Sequence, residues 1–273
     1  MKFLFSLGLS TGKEAETVLP LIKAAGFDGV EPTLLPEGFP SVERCLADAE
    51  QLKRIADRYQ LRIPSMRGGP LFWSCFSSSD PELQKQAVAL LEIAAQTLVH
   101  MGGSVLLVVP GRYESHRKYD EVYAHAVAMA RRAADIAQRY RITIGLENVH
   151  NQFLLGASEW RQFMEEVGRP EIRCYYDIGN TVYSGLGNPA DWIRELGSEW
   201  ICRIHVKDVN GEGEIVPLLA GNIDWPATTG CLARIGYDDW VGVELPLPNE
   251  DPLSFLQSAV TSLHEIWPPS SNN

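Results

Sequence analysis

The sequence predicts a single (β/α)8 (TIM) barrel. Short β-branched runs alternate with longer amphipathic runs eight times along the chain. The 273 residues give roughly 34 residues for each of eight units, close to the ~30 residues of one strand–helix unit. Strict alternation implies parallel strands joined by right-handed crossovers, and eight such units are the number found in this barrel. Because no low-complexity linker or shift in composition interrupts the pattern, we predict one domain over residues 1–273.

The strands are predicted where short apolar runs rich in Val, Ile, Leu and Phe occur. In chain order they cover 3–9, 27–34, 62–69, 104–111, 142–149, 172–180, 201–209 and 240–246. The first of them begins at residue 3 of the sequence. We interpret it as a strand and not as a signal peptide, because its apolar core is short and no small-residue cleavage site follows.

The helices are predicted where apolar residues recur with helical spacing. In chain order they cover 14–26, 41–60, 80–102, 120–140, 157–168, 188–197, 224–236 and 251–267. Ser41 is a capping residue at the second helix, and Asp80 followed by Pro81 opens the third, which Gly102 ends.

A doubly wound open sheet is the alternative fold. It would usually have fewer units and, when it binds a dinucleotide, a GxGxxG motif after the first strand. The glycines near that strand are Gly8 and Gly12, which do not form this motif. We therefore prefer the barrel.

Charge and cysteine content narrow the classes of function. The formal net charge of −11 argues against binding nucleic acid or an anionic membrane surface. No apolar run reaches the length needed to span a bilayer. The five cysteines are scattered without a CxxC pair, which is typical of free thiols in a reducing compartment, so we expect a cytoplasmic protein.

Four chargeable side chains stand near the carboxyl ends of four consecutive predicted strands: Glu147, Asp177, His205 and Glu244. Their spacings of 30, 28 and 39 residues each match about one unit, so barrel geometry brings them to one height. Taken singly, each carboxylate could be a helix cap or a salt-bridge partner, and His205 could be a buried histidine that hydrogen-bonds a backbone carbonyl. Three carboxylates packed together would repel, and a divalent cation removes that repulsion. Cys174 and Cys202 precede the polar residues of their strands by three positions, so we expect both thiols on the opposite face.

Four further polar residues near these strand ends are given roles. Lys207 has the same parity as His205, so we expect it to point into the mouth of the barrel and contact substrate. Asp208 has the opposite parity and is expected to cap or brace its loop. Asn148 and Asn180 are expected to hold loops or to hydrogen-bond the ligands, and Asn180 is also a candidate substrate-binding residue.

Several motifs together resemble the sugar phosphate isomerase/epimerase group of xylose-isomerase-like TIM barrels. They are GLENVHNQFLL (145–155), YYDIGNTVYSGLGNPADWI (175–193), RIHVKD (203–208), PLLAGNIDW (217–225) and GVELP (242–246). In the ketose 3-epimerases of this group, the matching positions bind one divalent metal. The resemblance thus implies that Glu147, Asp177, His205 and Glu244 bind Mn²⁺ or Co²⁺, with Mg²⁺ or Zn²⁺ as alternatives. It also allows a homo-oligomer.

The same resemblance implies an isomerase that acts on a sugar or sugar phosphate. A polarised carbonyl makes the adjacent C–H acidic, and its proton leaves to give a cis-enediolate. Glu147 and Glu244 are implied to remove and return that proton from opposite faces, which epimerises carbon 3 of a ketose. Proton return to the neighbouring carbon would be aldose–ketose isomerisation. Loss of a hydroxyl would be dehydration of a keto-polyol, which we keep as an alternative.

The chain departs from parts of this family. Tagatose and psicose 3-epimerases carry a histidine where this chain has Asn180 and a second glutamate where it has Phe153. The DIGN sequence that contains Asn180 looks more like phosphopentulose 3-epimerases. An endonuclease IV-like hydrolase is a weaker alternative, because that enzyme holds three zinc ions with many histidines and Asn180 again replaces one of them.

The remaining substrate-binding candidates lie in loops after the predicted strands. Arg67 and Arg112 end strands 3 and 4 and could bind an anionic or hydroxyl-rich tail of the sugar, although pairing with local carboxylates is an equal alternative. Trp73 could form an apolar wall over the sugar. His150 follows strand 5 three residues after Glu147 and is a further candidate contact.

Overall fold

The computed structural model describes residues 1–8, 12–33, 41–70 and 72–268, without the side chains of Gly12 and Lys13. In these ranges the strands are β1 (Lys2–Gly8), β2 (Gly29–Thr33), β3 (Ser65–Arg67), β4 (Val105–Val108), β5 (Thr143–Glu147), β6 (Ile172–Asp177), β7 (Ile201–Val206), β8 (Asp208–Val209), β9 (Ile215–Val216) and β10 (Trp240–Val243). Eight of them form one sheet, and β8 and β9 form a separate antiparallel hairpin.

The large sheet is an all-parallel barrel. Its strand order is β2-β1-β10-β7-β6-β5-β4-β3, and each listed neighbour runs parallel to the next. The gap between β2 and β3 is bridged through Arg62, which precedes β3, since Val30 N–H donates to the Arg62 carbonyl at 2.9 Å and Arg62 N–H donates to the Asp28 carbonyl at 3.0 Å. The predicted single-domain (β/α)8 barrel is therefore confirmed as a fold.

Ten helices alternate with these strands in the described ranges: α1 (Gly12–Ala25), α2 (Val42–Arg58), α3 (Phe72–Cys75), α4 (Pro81–His100), α5 (Tyr119–Tyr140), α6 (Ala157–Val167), α7 (Ile178–Tyr183), α8 (Pro189–Trp200), α9 (Trp225–Arg234) and α10 (Pro252–Ile266). The Ser41 and Asp80 side chains accept hydrogen bonds from the first turns of α2 and α4, as the capping pattern predicts. No helix in the part of the chain described is long and apolar enough to cross a membrane.

Three short elements differ from the expected strand ends. Helix α3 replaces a loop after β3. Helix α7 begins directly after Asp177, so the predicted strand over 172–180 ends three residues early. The Asp177 carboxylate accepts the Asn180 N–H at 2.6 Å and so caps α7. The third difference is the β8–β9 hairpin, which continues from β7 beyond the barrel.

The expected direction of Cys202 is wrong. A shift of register between β6 and β7 falls beside this residue, and its side chain packs inside the barrel with Val105, Leu107 and Tyr175. A bulge adds one residue to one strand, which reverses the alternation of side chains on one side of it. Cys174 packs on the outer face against the helices, as expected.

Candidate active site

The four predicted ligands meet at the carboxyl ends of the strands. Glu147 ends β5, Asp177 ends β6, His205 lies in β7, and Glu244 follows β10 directly. Each residue offers one ligand atom, and these four atoms all lie within 4.8 Å of one another. Parallel strands of matched length bring their carboxyl ends to one edge, so residues distant in sequence share this site.

His205 is oriented by two carboxylates on its two ring nitrogens. Nε2 lies 2.7 Å from Glu31 Oε2, and Nδ1 lies 3.1 Å from Glu147 Oε1. Nδ1 is also 4.0 Å from Glu244 Oε2. Burial alone would lower the pKa of His205, but the charge of Glu31 and the hydrogen bonds of both carboxylates raise it well above its ordinary value. The imidazole is thus fixed with Nδ1 toward the other ligands.

Glu31 is the functional residue that the sequence reasoning missed. It lies in β2, its side chain is fully buried, and it accepts hydrogen bonds from Ser6 Oγ at 2.8 Å and Tyr175 OH at 2.6 Å. Burial raises the pKa of Glu31, but the charge and hydrogen bond of His205 outweigh it and lower the pKa to about 2. The signal in the sequence was a glutamate inside the apolar run FDGVEPTL. An unpaired carboxylate is costly in a buried strand, so this glutamate needed a polar or charged partner.

Two basic side chains neutralise the remaining carboxylates. Lys207 Nζ donates to Asp177 Oδ2 at 2.7 Å and to Glu244 Oε2 at 2.6 Å. Arg67 donates to Glu244 Oε1 at 2.7 Å and to Thr33 Oγ1 at 2.7 Å. Burial would lower the pKa of Lys207, but the charges of Asp177 and Glu244 outweigh it and raise the pKa, so the side chain is an ammonium ion.

Glu147 and Glu244 differ strongly in proton affinity. Burial, and then the charge of Glu244, raise the pKa of Glu147 to about 7. Burial also raises the pKa of Glu244, but the charges of Lys207, His205 and Arg67 together hold it well below its usual range. Two carboxyl groups with opposite shifts can divide the roles of acid and base between them.

The donor set fits a divalent metal ion. It combines three carboxylates with one imidazole nitrogen, a mixed set suited to Mn²⁺, Co²⁺, Mg²⁺ or Zn²⁺. Glu31 supplies the outer carboxylate that commonly orients a ligating histidine. Cys174 and Cys202 are not among the ligand atoms that lie within 4.8 Å of one another, and burial raises the pKa of the Cys202 thiol to about 11.

Asn148 and Asn180 join the ends of β5 and β6. The Asn148 side chain donates to the Asp177 carbonyl at 2.8 Å and accepts from the Asp177 N–H at 2.7 Å. The Asn180 side chain donates to the Asn148 carbonyl at 2.9 Å. These bonds fix the backbone next to Glu147 and Asp177. Both asparagines therefore hold the loops at the strand ends.

A cavity of about 360 Å³ opens above the four ligands. Seven predicted site residues line it: Glu147, Glu244, Lys207, Arg67, Asn180, His150 and Trp73. The His150 ring lies against Trp73 at 5.1 Å and Tyr183 at 5.7 Å between centroids. Phe72, the chain neighbour of Trp73, is fully buried and does not line the cavity.

Arg112 lies outside this cavity. It lines an adjoining pocket that shares only the walls of Trp73 and His150 with the first, and its guanidinium pairs with Glu114 at 2.9 Å. Arg112 therefore pairs with a local carboxylate, which the sequence analysis named as the alternative to binding the sugar. Arg67 also pairs with a carboxylate, but that carboxylate is the predicted ligand Glu244.

Asp208 braces the loop after β7. Its buried carboxylate accepts hydrogen bonds from the Leu219 N–H at 3.0 Å, the Ile223 N–H at 3.3 Å and the Trp225 indole at 3.0 Å. A side chain at Gly221 would overlap this carboxylate, since a Cβ there would lie 2.2 Å from Asp208 Oδ1. Asp208 is thus separate from the ligand cluster, as its parity predicts.

Comparison with known proteins places the chain in a family. A family model described as xylose isomerase-like TIM barrel matches residues 19–261. The chain belongs to this family. A 2-epi-5-epi-valiolone 7-phosphate 2-epimerase of Actinoplanes sp. is 30% identical over 199 residues, which are 73% of this chain and 70% of that protein. The family resemblance found in the sequence is confirmed, and the protein is an enzyme of the sugar epimerase/isomerase type.

Solved structures of other proteins share the whole fold of this chain. A D-allulose 3-epimerase from Methylomonas sp., solved in complex with D-allulose, has a TM-score of 0.79 at 20% identity and covers 98% of this chain and 97% of its own. A structure of the IOLI protein with a bound zinc atom has a TM-score of 0.78 at 19% identity and covers 97% of this chain and 98% of its own. At these identities the likeness concerns the fold.

Phe153 and Asn180 show how this family member differs locally from the pattern of ketose 3-epimerases. Phe153 is buried, and its ring packs against Tyr119 at 5.5 Å and Phe163 at 6.3 Å. It therefore offers no polar group to a sugar. Asn180 does line the cavity, but its amide is bonded to Asn148.

Proposed function

We propose that this protein is a divalent-metal-dependent epimerase of a sugar or sugar phosphate, with epimerisation at carbon 3 of a ketose as the first candidate. Glu147 and Glu244 are its acid and base, and both of them bind the metal together with Asp177 and His205. Mn²⁺ or Co²⁺ is the proposed ion. The reaction passes through a cis-enediolate.

One observation carries the proposal most directly: Glu147 and Glu244 face one cavity from strands on different sides of the barrel. In the strand order, β7 and β6 separate β10 from β5, and both carboxylates line the cavity of about 360 Å³. A carbon held between them would be accessible to one carboxylate on each face. Removal of a proton from one face and return on the other inverts that carbon.

The residues of the chain divide the proton transfers between them. A bound divalent cation would supply Lewis-acid polarisation of the sugar carbonyl. Glu147, with its pKa raised to about 7, is suited to take up or release a proton at one face of the carbon near neutral pH. Glu244 exchanges the proton at the other face, and the hydrogen bond from Arg67 orients its carboxylate.

The cavity walls support a small polyhydroxylated substrate. Trp73, His150 and Tyr183 form an aromatic side to the cavity, and such rings commonly pack on the apolar face of a sugar. Two similar proteins, a D-allulose 3-epimerase and a 2-epi-5-epi-valiolone 7-phosphate 2-epimerase, support this substrate class. Because Phe153 and Asn180 depart from the ketose 3-epimerase pattern, we propose the class and not D-allulose itself.

Proton exchange from D₂O tests the reaction. The metal-reconstituted enzyme is incubated with a panel of ketoses and ketose phosphates, and deuterium in the recovered sugars is located by NMR. Deuterium at carbon 3 is expected for epimerisation. Deuterium at carbon 1 would indicate aldose–ketose isomerisation instead of epimerisation. Loss of water from the sugar without exchange would indicate dehydration instead.

Matched variants test the roles of the two glutamates. Glu147→Gln and Glu244→Gln are each expected to lower the exchange rate by about 10²–10⁴-fold, the usual contribution of a positioned acid or base. Glu212→Gln changes an exposed glutamate of the β8–β9 hairpin and is the control, with unchanged exchange. Exchange at the wild-type rate in either cavity variant would disprove its role, provided that bound metal is measured in the same samples.

A further inference from the structure

Lys207 occupies oxygens that the metal site needs. Both oxygens of Asp177 accept hydrogen bonds, Oδ1 from the Asn180 N–H at 2.6 Å and Oδ2 from Lys207 at 2.7 Å. Both oxygens of Glu244 do so as well, Oε1 from Arg67 at 2.7 Å and Oε2 from Lys207 at 2.6 Å. The ammonium group of Lys207 therefore bridges two of the four proposed ligands.

The stem of this lysine is packed tightly, and the side chain borders two cavities. A Cβ at Gly179 would lie 2.2 Å from Lys207 Cγ and 2.9 Å from the Lys207 carbonyl oxygen, so the stem passes where only glycine leaves room. Lys207 also lines two cavities of the mouth, one of about 360 Å³ and one of about 500 Å³. The ammonium group thus has space to move into without a change of backbone.

We propose that Lys207 is a positioning residue whose ammonium group competes with the divalent cation for Asp177 and Glu244, and that cation binding releases this group into the cavity to bind an oxygen of the substrate. The inference rests on the proposed metal site. Two cations at the same carboxylates repel strongly in a buried site, because little water screens them.

The consequence is an order of binding. Without the cation, Lys207 and Arg67 together balance the charges of Asp177 and Glu244. With the cation, the released ammonium group becomes a substrate contact, which is the role that its parity predicts. Substrate binding is then favoured only after the metal has bound.

Metal affinity of variants tests the competition. Lys207→Met is expected to bind Mn²⁺ at least about tenfold more tightly than the wild type in calorimetric titration, because a competing charge is gone. Its KM for the sugar is expected to rise at the same time, a split that a merely destabilised protein would not show. Arg173→Met is the matched control, since Arg173 donates to the Ser198 and Ile201 carbonyls at the other end of β6, and its Mn²⁺ affinity should equal that of the wild type.

The outcomes separate this inference from the proposed function. Equal or weaker Mn²⁺ binding by Lys207→Met, with normal binding by the wild type, would overturn the competition and leave the metal site standing. Failure of the wild type itself to bind Mn²⁺ or Co²⁺ would instead overturn the proposed function.

A labelling experiment on the wild type needs no variant to fold. Lysines are methylated reductively with and without Mn²⁺, and each site is quantified by peptide mass spectrometry. Lys207 is 6% exposed with its ammonium group bound to carboxylates, so we expect slow labelling without the metal and at least about threefold faster labelling with it. Lys53, which lies on the surface of α2, is the internal control and should not change. Equal labelling of Lys207 in both states would contradict the release of its ammonium group.

Discussion

Glu31 decides which nitrogen of His205 faces the other ligands. Its carboxylate holds Nε2 at 2.7 Å, and Ser6 and Tyr175 in turn hold the carboxylate. A ligating imidazole must present a free lone pair, so a carboxylate on Nε2–H leaves Nδ1 as the coordinating atom. This buried chain of hydrogen bonds gives a residue outside the ligand set control over one ligand.

Glu31→Gln is therefore expected to weaken Mn²⁺ binding by about 10–100-fold, as is usual when the outer partner of a ligating histidine is changed. The amide keeps the shape of the side chain but can donate as well as accept, so it no longer fixes the imidazole. Titration calorimetry measures the affinity, and circular dichroism checks the fold. Tyr175→Phe, which removes one donor to Glu31 and leaves the bond to His205, is the control with a smaller loss. Wild-type affinity in Glu31→Gln would show that the carboxylate does not orient the ligand.

At the scale of elements, α7 packs against β7, β8 and Lys207, which lies between these two strands. Gly179 stands in the first turn of α7, and its missing side chain lets the helix approach the Lys207 stem and carbonyl. Glycine inside a helix ordinarily costs about 1 kcal/mol relative to alanine. Its presence here is explained by this close approach.

Glycine-to-alanine substitutions in two helices should have opposite signs. Gly179→Ala is expected to destabilise the protein by about 1–3 kcal/mol, because the new methyl group overlaps a backbone oxygen that cannot move freely. Gly230→Ala in α9 meets only Arg234 Nη1 at 3.7 Å and should stabilise by roughly 0.5–1 kcal/mol. Urea denaturation measures both free energies of unfolding. If both substitutions stabilised the protein, the close packing of α7 on Lys207 would be disproved.

The sequence predicted those features that depend on periodicity and on strand ends. The eight predicted helices lie within a few residues of their predicted bounds. The four proposed ligands meet because each stands at or near the end of a buried strand. Alternation along a strand failed at Cys202, since a bulge leaves no mark in the pattern of apolar residues. Glu31 was missed for another reason: its partner His205 is 174 residues away, and only the closed barrel brings β2 near β7.

At the scale of the whole molecule, the barrel holds a buried cluster of opposite charges at one end. Four carboxylates, Glu31, Glu147, Asp177 and Glu244, meet three basic side chains, Arg67, His205 and Lys207. Burying charges costs several kcal/mol for each ion even when partners repay part of it. These buried charges therefore lower the free energy of unfolding of the metal-free protein. A bound cation should raise that free energy again in part.

Removal of metal is expected to lower the thermal stability of the whole barrel. An ion present at 100 times its dissociation constant stabilises the native state by about 2.7 kcal/mol, and a chain of this size shifts its melting temperature by about 2–4 °C for each kcal/mol. Mn²⁺ should thus raise the unfolding temperature of chelator-treated protein by roughly 5–10 °C in calorimetry. His205→Ala lacks one proposed ligand, so its unfolding temperature should barely respond to the same Mn²⁺ concentration. An equal rise in both proteins would mean that the ion stabilises the barrel at some place other than these four ligands.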